Sequence, residues 1–426
     1  MQKLLFSNIE DALDDTHVIA TYYIELDKNM SIMEVANKMA IGQTLGTWVA
    51  VPGITEEMTK RHVGKVVNIY NVPAYELSNQ VDSAENYQKY LFQIAFPTVN
   101  FSKSLAMLLT TVMGNDASTS AQIKLVDLNF SGSYFNNIAG PNYGIAGVRK
   151  LLNIHERALI LSMIKPCLGF SASYGAKLFY KAAVSGGIDI IKDDELLGNP
   201  SFCPVQDRVK EYLKAADAAY EVTGKRVLYI PNITDTYHNM LHNAERAIES
   251  GAKALMINFA TAGYEMVKEI SIRFNVPILG HYAGSGMFYE GLKNGMRSPL
   301  AVGKLPRISG ADMVMINTPY GGYPLLDYQY FLTVKELTAK LYTIKPTFPI
   351  VGGGVHPGMV GKLISELGNN IVIAAGGAIF GHPDGVELGG KAMMQAVEAV
   401  TNHISIEEYA KEHEALNVAI NKWGIL

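Results

Sequence analysis

Lys192, Asp193, Asp194 and Glu195 close the stretch Gly186-Gly187-Ile188-Asp189-Ile190-Ile191-Lys192-Asp193-Asp194-Glu195. A glycine pair, a short apolar run and then an ammonium beside three carboxylates is the pattern of a buried strand that ends in charge. An unpaired buried ion costs on the order of several kcal/mol, so the cluster belongs at an open strand end with partners. A hard divalent cation such as Mg2+ takes oxygen ligands of this kind. A solvated strand end paired with surface lysines is the competing account. Elsewhere in the chain, other polar residues also stand directly after apolar runs. They are Lys165 in Ile164-Lys165-Pro166, Asn232, His281, the triplet Gly352-Gly353-Gly354 and the pair Gly376-Gly377. Consecutive glycines let backbone N–H groups converge on an anion, so the two clusters suit a phosphate cradle as well as tight turns. A core histidine and a surface lysine are the plain accounts of His281 and Lys165; their strand-end positions speak for a pocket. His356 and His382 are assigned to packing and loops, and Cys167 to packing.

These residues need elements to position them. From about Gly140 onward, eight apolar runs recur: Leu159–Ile164, Gly187–Ile191, Val227–Ile230, Ala254–Asn258, Val276–Leu279, Asp312–Ile316, Phe348–Gly352 and Ile371–Ala375. Helix-period segments such as Val205–Val222, Asn239–Ser250 and Tyr328–Leu341 separate them. Eight strands alternating with helices in fewer than about 300 residues predict a (β/α)8 barrel over residues 141–426. An open doubly wound sheet is the alternative, but it carries its phosphate loop after the first strand. Here the glycine clusters follow the seventh and eighth. Residues 1–140 read as a smaller α+β domain with an antiparallel sheet. Strands are expected at His17–Leu26, Gly46–Val51, Val63–Val72, Leu91–Phe96 and Ile123–Phe130. Helices are expected at Ser31–Ile41, with Ser31 as N-cap, and at Ser104–Val112.

Composition narrows the function classes. The 426 residues suffice for two domains; 48% are apolar, and 18% are charged, below the usual quarter. That balance indicates a large interior or an oligomer. A net charge of −4 without a basic run argues against nucleic acid and anionic membranes as main partners. Cys167 and Cys203 form no CxxC, the N-terminus has no secretory pattern, and no apolar run has the length of a membrane span. The expected location is the cytoplasm.

Over nearly its whole length the chain resembles the RuBisCO large subunit. The resemblance is carried by Ile164-Lys165-Pro166 with Leu168-Gly169, Gly186-Gly187-Ile188-Asp189 with Lys192-Asp193-Asp194-Glu195, Gly376-Gly377, Gly381-His382-Pro383 and, in the first domain, Gly46-Thr47-Trp48. It implies a ferredoxin-like N-terminal domain before the barrel. It also implies that CO2 carbamylates Lys192, and that the carbamate, Asp194 and Glu195 hold Mg2+. One substrate phosphate would sit among Thr47, Trp48, Gly354, Gly376 and Gly377, with Gly352 and Gly353 in the same loop. Thr47 and Trp48 would close over a partner's barrel, giving a homodimer with shared sites. Departures separate this chain from carboxylases. The loop after strand six, Thr318-Pro319-Tyr320-Gly321-Gly322-Tyr323, has no lysine, and that lysine's glutamate partner falls at Gly42. The groups for a second phosphate fall at Tyr282 and Met315, and the second lysine of the first-strand motif is Cys167.

The pattern therefore is similar to the RuBisCO-like (type IV) branch, which would enolise a monophosphorylated keto compound without fixing CO2. Within it, Pro319-Tyr320-Gly321, His356-Pro357-Gly358-Met359-Val360 and Lys422-Trp423-Gly424 resemble the methionine-salvage enolase of 2,3-diketo-5-methylthiopentyl-1-phosphate. That enolase uses a lysine base at the position of Asn115, and asparagine is no base. Lys165, His281 and the Lys192 carbamate are the remaining candidates. Decarboxylation of 3-oxo-isoapionate 4-phosphate, which needs no proton abstraction, is the alternative, and a non-catalytic regulatory barrel is a third.

Overall fold

The computed structural model describes residues 6–12, 16–47, 49, 51–73 and 86–426. These contain thirteen strands: β1 (His17–Asp27), β2 (Lys65–Asn71), β3 (Tyr87–Pro97), β4 (Lys124–Phe130), β5 (Leu159–Met163), β6 (Ile190–Lys192), β7 (Leu228–Ile230), β8 (Leu255–Asn258), β9 (Ile278–His281), β10 (Gly295–Met296), β11 (Met313–Asn317), β12 (Phe348–Gly352) and β13 (Val372–Ala375). The chain forms two compact units. The first comprises Met1–Ile138, Ser285–Ala301 and Tyr342–Ile344; the second comprises Ala139–Gly284, Val302–Leu341 and Lys345–Leu426.

In the first unit the sheet order is β10-β4-β1-β3-β2. The pairings β1–β3, β1–β4 and β2–β3 are antiparallel, and β10 adds in parallel to β4. Alternate residues of β1 (Val18, Ala20, Tyr22, Ile24 and Leu26) are buried, as period-two pleating requires for a half-covered sheet. The helix Ile32–Leu45 starts at Ser31, whose side chain accepts from the Glu34 N–H. It runs four residues further than expected and ends where Gly46 turns left-handed at φ 74°. Among the described residues of 46–51, none lies in a strand. The apolar spelling there suggested a strand, but the helix and its glycine C-cap take up the start of that segment.

The second unit holds the eight parallel strands in the order β7-β6-β5-β13-β12-β11-β9-β8. A parallel bridge between Asn232 and Met256 joins the two ends and closes the barrel. Its strands are apolar on both faces because helices cover the outside and side chains fill the inside. Leu159, Leu161, Ile190, Leu228, Ile230, Met256, Leu279, Met313, Met315, Phe348, Ile350, Val372 and Ala374 form one packed interior cluster. At the N-terminal ends of the strands, two buried acids tie the backbone together. Asp189 accepts two 2.7 Å bonds from Arg157 and one from the Ile160 N–H. Asp312 accepts the N–H groups of Tyr143, Gly144 and Ile278. Among the described residues no helix is long and apolar enough to cross a membrane.

Candidate active site

Side chains alternate along a strand, so two residues beyond each core residue the next interior side chain stands at the open, C-terminal mouth of the barrel. Counting upward from Met163, Ile190, Ile230, Met256, Leu279, Met315, Ile350 and Ala374 reaches Lys165, Lys192, Asn232, Asn258, His281, Asn317, Gly352 and Gly376. The layer above the apolar core thus holds two lysines, three asparagines, one histidine and two glycines.

Lys192 ends β6 and is fully buried; its Nζ donates to the Asp193 carbonyl at 2.9 Å. Burial pushes its pKa down, against the pull of Glu195, Asp194 and Asp193, and with help from the Lys165 charge. Lys165 goes the other way. Its Nζ lies 2.5 Å from Asp194 Oδ2, with side chains 39% and 2% exposed respectively. Burial works against the charge here too, but the bond and charge of Asp194 outweigh it and raise the lysine's pKa. Lys165 likewise holds the Asp194 carboxyl below the usual range, despite burial.

His281 ends β9, with Nε2 3.6 Å from Glu195 Oε2. The Ala283 N–H donates to its Nδ1 at 3.2 Å, which puts the proton of the neutral ring on Nε2. Burial first, then the charges of Lys192 and Lys165, push the pKa of this imidazole well below its ordinary value. The Glu195 carboxylate is 34% exposed and does not offset them. Tyr282 stacks on the ring at 5.1 Å.

Asp193, the middle carboxylate of the cluster, points away from the mouth. It accepts from Arg208 Nε (3.0 Å), the Tyr229 hydroxyl (2.8 Å) and the Asn232 N–H (2.9 Å) in a fully buried network. Alternation explains the split: Lys192 takes the interior face, and Asp193 takes the outer face under the helix Val205–Thr223, which carries Arg208. Asn232 and Asn258 use their amide N–H groups on the Glu195 carbonyl, at 3.1 and 2.9 Å, and so fix the turn that presents Glu195.

The glycine clusters stand on adjacent strands, since β12 pairs with β13. Gly353 and Gly354 have φ of 91° and 92°. The Gly322 N–H donates to the Gly353 carbonyl at 3.0 Å, so the loop after β11 is pinned to the loop after β12. A Cβ on Gly376 would stand 2.4 Å from Met163 Sδ and 3.5 Å from Lys165 Cε. A side chain there would have to displace Met163, while its contact with Lys165 would be an ordinary one. Around Gly377 there is open space.

The second unit therefore brings Lys165, Lys192, Asp194, Glu195 and His281 together, with the glycines beside them. Thr47 and Asn115 belong to the first unit. Thr47 Oγ1 accepts from the Val49 N–H at 3.2 Å, and Asn115 is exposed. Trp48 lies outside the described residues. The carboxylate of Asp116 stands 1.7 Å from where a Cβ on Gly42 would be, so it fills the space a side chain at position 42 would need. Asn258 and Asn317 were not singled out from the sequence. The period-two count from the core would have found them.

The donor set can be weighed for the metal that the resemblance implies. Among the described residues no group of three or more His, Cys, Asp or Glu side chains is arranged to hold a metal ion. Asp194 and Glu195 supply two hard oxygen donors, and a third has to come from elsewhere. Burial lowers the pKa of Lys192 and so eases loss of its proton; the neutral amine is the form of lysine that attacks CO2, and the carbamate would be anionic and oxygen-bearing. With that modification the set fits Mg2+.

Comparison with known proteins decides the family. Residues 6–134 match the N-terminal domain of the ribulose bisphosphate carboxylase large chain, and residues 144–423 match its catalytic domain. The chain belongs to the RuBisCO large-chain family. Among its relatives is a ribulose bisphosphate carboxylase-like protein of Archaeoglobus fulgidus, 40% identical over 94% of this chain and 91% of that one. The 2,3-diketo-5-methylthiopentyl-1-phosphate enolase of Geobacillus thermodenitrificans is 35% identical over 96% and 98%. A solved rubisco-like protein (MtnW) from Alicyclobacillus acidocaldarius superposes with a TM-score of 0.87 at 32% identity, covering 96% of this chain and all of that one. This RuBisCO-like chain thus has enzymes among its near relatives. Solved RuBisCOs that share its fold include octameric and dimeric assemblies, at 28% and 30% identity and TM-scores of 0.86 and 0.85.

Proposed function

We propose that this protein forms an enolate from a monophosphorylated keto compound, with 2,3-diketo-5-methylthiopentyl-1-phosphate as its substrate, and that it does not carboxylate ribulose bisphosphate. The observation that carries the reading is the pair of lysines at the barrel mouth whose surroundings pull them apart: Asp194, 2.5 Å away, raises the pKa of Lys165, while full burial lowers that of Lys192. The 35% identity to the diketone enolase supports the choice of substrate.

In this reading the phosphate is bound by backbone N–H groups of Gly352, Gly353, Gly354, Gly376 and Gly377. Lys192 as its carbamate, Asp194 and Glu195 would hold Mg2+, which when bound supplies Lewis-acid stabilisation of developing oxyanion charge. His281 Nε2–H is a hydrogen-bond donor for a substrate oxygen on which negative charge grows. Lys165 is a proton donor, so it is suited to the acid half of the chemistry and not to abstraction. Of the three candidates, Lys165 is held protonated by Asp194 and His281 carries its proton on Nε2, which leaves the Lys192 carbamate, if formed, as the group that would accept the α-proton. Thr47, Trp48 and Asn115 would complete the site from the partner of a homodimer.

A second reading has its own observation. Lys165 and His281 both hold protons, and Asn115 cannot accept one. Decarboxylation of 3-oxo-isoapionate 4-phosphate needs no acceptor: the C–C bond breaks, its electron pair becomes the enolate, CO2 leaves, and the Lys165 Nζ–H returns a proton to carbon.

One assay separates the two. Protein preincubated with Mg2+ and bicarbonate is offered each compound in D2O and followed by NMR and mass spectrometry. Enol formation with α-deuterium exchange on the diketone is the expected result. CO2 release from the keto acid alone would replace the first reading by the second. No reaction with either, from protein that binds metal, would overturn both.

A further inference from the structure

Asn317 stands in the same layer as Lys165, Lys192 and His281, two residues above Met315 of the barrel core. It is 94% buried (6% exposed). Its Oδ1 is buried without a partner. The two other asparagines of the layer donate their Nδ2–H to the Glu195 carbonyl, although the Oδ1 of Asn258 is likewise unpartnered. Asn317 makes no such bond to Glu195. The neighbouring loop backbone is already paired, with the Thr318 N–H on the Gly352 carbonyl and the Gly322 N–H on that of Gly353. The amide instead lies against the glycine loop, its Oδ1 3.2 Å from where a Cβ on Gly353 would stand. Buried amides are almost always partnered, and an idle one calls for a ligand or ordered water.

We propose that the Asn317 carboxamide recognises substrate, hydrogen-bonding an oxygen on the carbon chain a short way from the phosphate. This rests on the reading above that the glycine loops hold that phosphate. A carboxamide offers a donor and an acceptor side by side, and a hydroxyl is the substituent that satisfies both ends. A carbonyl oxygen meets only the Nδ2–H. The site therefore prefers an oxygenated chain to a bare one, and Asn317 sets that preference: a carbonyl of the diketone engages the Nδ2–H, and a hydroxyl of the keto acid engages both ends.

The test is calorimetric titration of protein preincubated with Mg2+ and bicarbonate, using inorganic phosphate, ribitol 5-phosphate and pentyl phosphate as probes. Wild-type protein is expected to bind ribitol 5-phosphate at least about tenfold more tightly than pentyl phosphate. Asn317→Leu, of similar volume without the amide, is expected to remove most of that ratio by weakening ribitol 5-phosphate alone. Asn317→Ser, which keeps a donor and an acceptor and stands in if the leucine variant misfolds, is expected to retain part of it. Equal shifts for both organic phosphates, or none, would mean that the amide holds only water and would overturn the proposal with the phosphate site intact. Failure of all three probes to bind wild-type protein would remove the phosphate assignment and this inference with it.

Discussion

Lys165 and Lys192 carry the same functional group, and their surroundings drive them apart. Asp194 keeps one protonated; the other lies wholly inside the barrel wall, where desolvation outweighs three nearby carboxylates. Such divergence of like groups marks sites that do proton chemistry. His281 gives a residue-scale prediction with a definite sign. Its folded pKa lies well below the ordinary histidine value, while in the unfolded chain it returns to about 6.5. Below that pH the unfolded state binds the extra proton, so stability falls as pH falls, until the folded-state value is reached. In metal-free protein the wild type is expected to lose up to about 1.4 kcal/mol per pH unit below 6.5 through this group. His281→Gln should lack that component. Thermal unfolding of both proteins from pH 8 to 5 measures the difference, and parallel curves would contradict it. His281, Lys165 and Lys192 were legible in the sequence because each is a chemically distinctive residue directly after an apolar run. Asn258 and Asn317 were not, because asparagine after a strand also reads as ordinary turn chemistry. Only the inward or outward phase of the strand, fixed by the packed core, tells them apart.

At the scale of elements, the site depends on how β6 ends. The strand is three residues long and pairs with β5 and β7. Arg208, from the following helix, fastens it through Asp193 and also donates to the Gly198 carbonyl at 2.7 Å and to the Cys203 carbonyl. That pair is completely buried. Removing one partner leaves an uncompensated charge, which costs roughly 3–5 kcal/mol. Arg208→Met is therefore expected to lower unfolding stability by about that much and to weaken metal binding at the mouth, because Lys192 and Asp194 flank the loosened residue. Urea unfolding and Mn2+ titration in the presence of bicarbonate would show it; a variant within 1 kcal/mol of wild type would mean that the pair does not hold the strand end. All eight barrel strands could be read from the sequence, since runs buried on both faces leave a continuous apolar signal. The expected strand at Gly46–Val51 was misread, because a glycine C-cap followed by apolar residues has the same spelling as a strand start. Arg208 was missed altogether, as an arginine in a helix normally indicates a solvated face.

For the molecule as a whole, the sequence changes rhythm near residue 140, but nothing in it announces that residues 285–301 and 342–344 return to the first unit. Pairings such as β10 with β4 join segments far apart in the chain, and no local pattern encodes them. The homodimer reading, in which Thr47 and Trp48 of one protomer serve the barrel of the other, makes a prediction about stoichiometry. Lys192→Ala and Trp48→Ala should each be inactive as homodimers, one lacking the barrel group and the other the covering group. In a mixed dimer of the two, one site receives both defects and the other receives neither. Co-refolding equal amounts gives about half mixed dimers by random pairing, each with one intact site of two. Activity should recover to roughly a quarter of the wild-type value. Recovery would require that a site draw on both protomers, whereas two self-sufficient protomers would stay silent at every mixing ratio. The complementation assay therefore separates a shared site from a site complete within one chain, whichever of the two substrates proves to be the right one.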